Sequence, residues 1–176
     1  LAESVGHTTT PRMGVLSAIE TDCDWCGRLQ GLALKNVALT LKKGKKVLYS
    51  DLGEMLFTHF GVSGPLVLSA SAYVKKSDYR LEIDLKPALD DKKLDARLLR
   101  DFGEQHAKQI STVMRGLLPQ AMVEPVLDKA GVAIDTKISE ITKVQRAAIV
   151  NALKRFDLTI TGLRPIEEAI ITDGGV

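Results

Sequence analysis

The sequence predicts an α+β fold, with a small antiparallel, barrel-like sheet formed by N- and C-terminal strands and a helical lobe inserted between them. Three observations lead there. Apolar and polar residues alternate, with a period of about two, in several stretches before residue 86. Between residues 90 and 155 the apolar residues recur instead at helical spacing, and from residue 158 the alternation returns. Two groups of strands separated by a run of helices share one sheet or barrel most simply when the helices are an insertion. Residues 1–87 and 156–176 then form the β subdomain and residues 88–155 the helical one.

The opening LAESVGHTTTPRMG has no clear apolar period and is read as an extended lead-in rather than a packed element. In residues 29–41, Leu32, Leu34, Val37, Leu39 and Leu41 share one face, but the parity changes at Lys35 and Asn36, which predicts a bulge or short turn. Gly44 within the run Lys42, Lys43, Lys45 and Lys46 turns the chain back into a second strand at 47–50, and a third follows at 55–60. Residues 79–85 are the cleanest strand, with Leu81, Ile83 and Leu85 opposite Arg80, Glu82 and Asp84, and Pro87 ends it.

The helical part starts at Asp90 or Asp91, whose carboxylates can accept the free N–H groups of a first turn, and carries Leu94, Leu98, Leu99 and Phe102 on one face. Pro119 can open another helix bearing Met122, Val123, Val126 and Leu127, with Pro125 kinking or dividing it and Gly131 ending it. Thr142 and Gln145 have capping-box spacing ahead of Val144, Ala147, Ala148, Val150 and Leu153. Leu158, Ile160 and Thr161 return to strand, residues 162–165 interrupt, and residues 166–172 read as a last extended run.

With 24 basic and 22 acidic residues the formal charge is +2, a balance that argues against gripping phosphate backbones, so no nucleic-acid partner is expected. The lysine run lacks interleaved aromatics and reads as a solvated hairpin. No apolar window is long enough to span a bilayer and no leader pattern appears, so no membrane partner and a cytoplasmic setting are expected. Cys23 and Cys26 in TDCDWCGR are read as two incidental thiols. Zinc would need further ligands, and His7, His59 and His106 have no metal-ligand spacing, so no metal is expected. Dinucleotide fingerprints, a P-loop and a nucleophile elbow are all absent, Pro65 standing where the elbow needs glycine. Asp84, Asp90, Asp91 and Asp95 are explained by caps and helix-dipole complementarity. Arg164, with Glu167 and Glu168 nearby, reads equally as a surface ion pair or a binding edge.

The stretch GEMLFTHFGVSGPLVLSASA, residues 53–72, changes period in mid-course. A strand to Phe60 turns at Gly61, Ser63 and Gly64 into a helix started by Pro65, with Leu66, Ser69, Ala70 and Tyr73 on one side. Such a corner can receive an anion or a polar cofactor edge, and His59 is its one titratable side chain.

The runs GEMLFTHFGVSGPLVLSAS, DLKPALDDKKLDARLLRDF and LTITGLRPIEEAIITDGGV resemble, in the same order, the insert region of a bacterial flavoprotein family, the NAD(P)/FAD-dependent oxidoreductases of aminoacetone oxidase-like type. In that family the insert interrupts an FAD-binding domain. VGHTTTP resembles the family's exit from that domain and TDGGV its re-entry, whereas RMGVLSAI departs from the usual pattern. The resemblance implies FAD in the parent protein, none held by this chain alone, and an FAD-binding domain of the same polypeptide as partner. It implies a domain that covers the flavin and shapes a pocket for a small-molecule substrate without being catalytic alone. Thr58, His59, Phe60, Gly61, Ser63 and Gly64 would face flavin or substrate, with Thr172, Gly174 and Gly175 as the flavin-side return. On that reading the glycines of the 53–72 turn and His59 stand exposed. An independent protein-interaction module with no redox role is the alternative.

Overall fold

A computed structural model describes residues 2–75 and 78–175; Leu1 and Val176, the outer ends of the predicted β subdomain, lie outside the described residues. The strands are β1 (Thr10–Val15), β2 (Ile19–Asp22), β3 (Ala33–Lys43), β4 (Lys46–Thr58), β5 (Gly61–Ser63), β6 (Tyr79–Asp84), β7 (Phe156–Leu163) and β8 (Ile171–Gly175). The α-helices are α1 (Pro65–Ser71), α2 (Asp91–Glu104), α3 (Ile110–Met114), α4 (Gln120–Lys129) and α5 (Lys143–Lys154). Strands β2-β5-β4-β3-β6-β7 close into an antiparallel barrel, and β1 pairs with β8 as a separate two-stranded ribbon. The α+β class and the pairing of N- and C-terminal strands thus hold, with α2–α5 all between β6 and β7.

The hairpin of β3 and β4 is the longest pairing, turned at Gly44 with Lys43 opposite Lys46. Its register slips between Leu34 and Val37, where Lys35 and Asn36 oppose the single Glu54, so the parity break in the sequence is a bulge. Past it Val37, Leu39 and Leu41 are buried together. The predicted strands at 47–50 and 55–60 are one strand, β4. Residues 50–52 pair with Thr40, Leu39 and Ala38 while facing solvent, so the run between the two apolar stretches is polar without being a turn. Lys42 pairs with Glu82 at 2.7 Å, and Lys43 lies over the Tyr79 ring, so the basic run is a hairpin end.

Several boundaries differ from expectation. The lead-in contains a 3-10 turn at Glu3–Val5 and then β1, which gains its partner β8 from the far end of the chain. On α1 the buried side is Leu66, Val67, Ala70 and Ser71, while Ser69 and Tyr73 are exposed. That side is set by packing on β4, not by the apolar count. On α2, Leu99 is exposed, and the buried Asp101 takes the inner position, neutralised by Arg97 at 2.7 Å. Val144 is likewise exposed at the first turn of α5. Helix α4 runs through Pro125, which costs it one backbone hydrogen bond. Residues 166–172 are not one extended run: Pro165 leads into a 3-10 turn at Ile166–Glu168 before β8.

The helices are held by the caps the sequence advertises. Asp90 accepts from the Lys93 amide at 2.8 Å, and Thr142 and Gln145 form the reciprocal capping box. Lys154, at the end of α5, donates to the Asp84 carboxylate and to the Lys86 and Leu89 carbonyls, tying the lobe to the end of β6. The apolar core is continuous from barrel to lobe. Phe156 sits where the two meet, fully buried against the Trp25 ring at 4.9 Å. Phe156→Ala is therefore expected to lower stability by about 3–5 kcal/mol, read as a lower urea midpoint at unchanged slope.

Candidate functional site

The predicted residues fall on two structures. Thr58 ends β4, His59 and Phe60 make the turn, Gly61 and Ser63 bound β5, and Gly64 precedes α1. The single sharp corner expected at 61–64 is therefore two corners with a short strand between them. Thr172, Gly174 and Gly175 lie on β8, where Thr172 faces Gly14 and Gly175 faces Thr10. Among the described residues no hydrogen bond or ion pair joins the two groups.

The first group is bordered by Arg164, just past β7. Its guanidinium reaches Glu168 at 2.6 Å and Glu20 of β2 at 2.9 Å, and it lies 4.6 Å from the centre of the Phe60 ring. The paired carboxylates hold the guanidinium charged even more firmly than usual, and Arg164 in turn keeps the Glu168 carboxyl below the ordinary carboxylate range. The His59 ring meets the Phe60 ring edge-on at 5.0 Å. Behind Arg164, its carbonyl accepts from the Ser17 hydroxyl and the Ser17 amide donates to Ser71 of α1. The turn is thus clamped from β2, β7 and α1. An ion pair of Arg164 with a nearby glutamate was one of the two readings open in the sequence. Glu20, so far away along the chain, was not.

The glycines answer differently from expectation. Gly61 is buried, not exposed: a Cβ there would stand 2.4 Å from the Ile19 carbonyl and 2.8 Å from the Thr21 amide. At Gly64 it would press on Met55 and Leu56, and at Gly174 it would stand 2.3 Å from the Pro11 carbonyl. These glycines admit neighbouring strands of the same chain. Gly175 has open space around it, and its φ of 110° needs glycine. The predicted anion site at the start of α1 has little to offer, because the helix has seven residues and no side-chain cap.

His59 is exposed, as expected. Beside it, the Thr58 hydroxyl is the one buried side-chain polar atom among the described residues with no hydrogen-bond partner. A buried hydroxyl without a partner costs about 1–3 kcal/mol, so it is an uncompensated polar atom next to the exposed His59. No cluster of metal-ligating side chains forms among the described residues. The two cysteines are not separate thiols: Cys23 and Cys26 are joined as a disulfide.

Two substitutions separate packing from site. Gly61→Ala should destabilise the chain by about 1–3 kcal/mol through overpacking against β2, measured by thermal unfolding. Thr58→Val should leave its melting temperature unchanged or higher, because it removes a hydroxyl that bonds to nothing.

The chain matches the family model described as HI0933-like protein barrel and H2TH domain over residues 15–171. It is 30% identical to a ribosomal RNA dihydrouridine synthase of Haemophilus influenzae, an alignment covering 100% of this chain and 42% of the relative. It is 23% identical to a 3-dehydro-bile acid delta(4,6)-reductase of Clostridium scindens, covering 100% of this chain and 44% of that protein. A ribosomal RNA dihydrouridine synthase of Escherichia coli is 27% identical over 69% of this chain and 29% of its own length. The chain spans less than half the length of these curated relatives. With its closed barrel, its α2–α5 lobe and a match across nearly the whole sequence, the chain belongs to the HI0933-like flavoprotein oxidoreductase family and forms that family's barrel and H2TH domain.

Proposed function

We propose that this chain covers the flavin of an FAD-dependent reductase and shapes its substrate pocket, with the FAD-binding part of the same polypeptide as its partner. The observation that carries the proposal is the pairing of an unpartnered buried Thr58 hydroxyl with an exposed His59 on a turn clamped by Arg164. A rigid edge with an unused donor is suited to orient a ligand, since orientation and exclusion of water are what a protein adds to cofactor chemistry. The β1–β8 ribbon supports the same reading. It brings the two ends of the described chain side by side and leaves Met13, Ile170 and Ile171 exposed, an apolar rim for the FAD-binding part to cover.

Bound FAD would supply a hydride obtained from NADH or NADPH. Within this chain, the Thr58 hydroxyl would bond the cofactor or substrate edge, and the His59 imidazole would hold or release a proton beside it. Phe60 and Arg164 keep that edge in place. Thr172, Gly174 and Gly175 would form the return strand along the flavin side.

The names of the relatives suggest the substrate class. One makes dihydrouridine in ribosomal RNA and another reduces a 3-dehydro bile acid at delta(4,6). Both products arise when a carbon–carbon double bond conjugated to a carbonyl takes up a hydride and a proton. We extend that class to this chain. Its near-balanced charge favours a small molecule over a nucleic acid as the carrier, in a cytoplasmic setting where reduced nicotinamide is at hand.

The test uses the full-length parent enzyme. His59→Ala should slow reduction of an α,β-unsaturated ketone on the order of 10²-fold, the scale of one lost proton donor. Thr58→Val should shift the flavin absorbance bands. Unchanged rate and unchanged spectrum in both variants would overturn the reading.

A further inference from the structure

Outside the site, the segment TDCDWCGR carries chemistry that the flavin reading does not use. We propose that Cys23 and Cys26 are a reversible thiol–disulfide site whose state sets the packing of Trp25 and, through Thr21, the position of the His59–Phe60 turn.

The bond is poorly placed to be a staple. Its two cysteines are three positions apart, so it closes a minimal loop and joins no distant elements, and the stabilisation a disulfide gives through chain entropy shrinks with loop length. Its effect is local, and its neighbours are specific. Trp25, between the two cysteines, packs against Phe156 at 4.9 Å and Phe57 at 6.4 Å, the latter one residue before Thr58. The Thr21 hydroxyl lies 3.5 Å from the Cys26 sulfur, and the Thr21 amide donates to the Phe60 carbonyl at 3.1 Å. The disulfide is therefore two contacts away from the His59 turn.

The two sulfurs differ in access. Cys26 is 1% exposed, whereas Cys23 is only half-buried, so Cys23 is the sulfur an outside thiol can reach. The thiolate of an external thiol attacks the Cys23 sulfur, the bond to Cys26 breaks, and Cys26 leaves with the electron pair and takes a proton from water. A second external thiolate then attacks the external sulfur of the mixed disulfide and releases Cys23, which is protonated in turn. Two thiols are oxidised to one disulfide and the cysteine pair is reduced by two electrons and two protons.

Trp25 is the only tryptophan in the sequence, so its emission reports this site alone. The full chain would be held in oxidised or reduced dithiothreitol, alkylated with iodoacetamide under denaturing conditions and weighed, with native emission recorded in parallel. We expect no alkylation after oxidation, two alkylated cysteines after reduction, and a shift of native Trp25 emission to longer wavelength on reduction. A Cys23→Ser/Cys26→Ser double variant should show no response to either reagent. Two alkylated cysteines under oxidising conditions, or identical Trp25 emission in both states, would overturn the proposal even if the double variant failed to fold. None of these readouts involves flavin, so the outcome is independent of the function proposed above.

Discussion

Closure of the barrel by β2 is the constraint on which the rest of the structure depends. This strand has four residues, yet it pairs with β5 on one side and β7 on the other, bringing residues 19–22 beside both 61–62 and 159–163. Without it β5 and β7 would present unpaired backbone edges, which are costly to bury and prone to pair with other chains. The fit leaves no room for a side chain at one position: Gly61 lies opposite Glu20, and a Cβ there would stand 2.4 Å from the Ile19 carbonyl. Gly162 lies opposite the same Glu20 on the other side. Closure therefore fixes in one step the turn before Gly61 and the Arg164 that follows β7.

The helical lobe is joined to this barrel by charge placed at low exposure as well as by apolar contact. Lys154 is 10% exposed and satisfies one carboxylate and two carbonyls around the end of β6, so all three of its donors have work near the joint. A buried ammonium with every donor used is more a device of orientation than of net stability, since desolvation offsets much of the attraction. Arg146 pairs with Asp95 between α5 and α2, and Arg155, just past α5, pairs with Asp91 at the surface. The apolar cluster beneath them supplies the larger stabilisation.

The candidate site sits where these constraints converge, and it inherits its rigidity from them. Thr21 bonds to the turn, Arg164 covers the Phe60 ring, and Ser17 links Arg164 to the end of α1. A turn held from three elements can present an unpartnered hydroxyl and an exposed imidazole in fixed relation, which an isolated loop cannot. The disulfide borders the same arrangement and gives it a second input.

Much of this was legible from local pattern. The alternation of Leu81, Ile83 and Leu85, the parity break at Lys35–Asn36 and the capping spacing of Thr142 and Gln145 each correspond to a strand, a bulge and a cap, because such signals depend on neighbours within a few residues. The motif around residues 57–65 likewise led to the family. What it misled on was the meaning of Gly61, which looked like an opening for a ligand and is an opening for Ile19. Whether a missing side chain admits a cofactor or a strand depends on what the fold brings there. The pairing of β1 with β8, the bond between Cys23 and Cys26, and the reach of Arg164 to Glu20 are likewise decided only in three dimensions. Sequence by itself determined the elements and the residues able to do chemistry, since period and capping are local. Tertiary structure alone decided which of those residues remain unpartnered, since satisfying a polar group or filling a glycine's space takes atoms from distant parts of the chain.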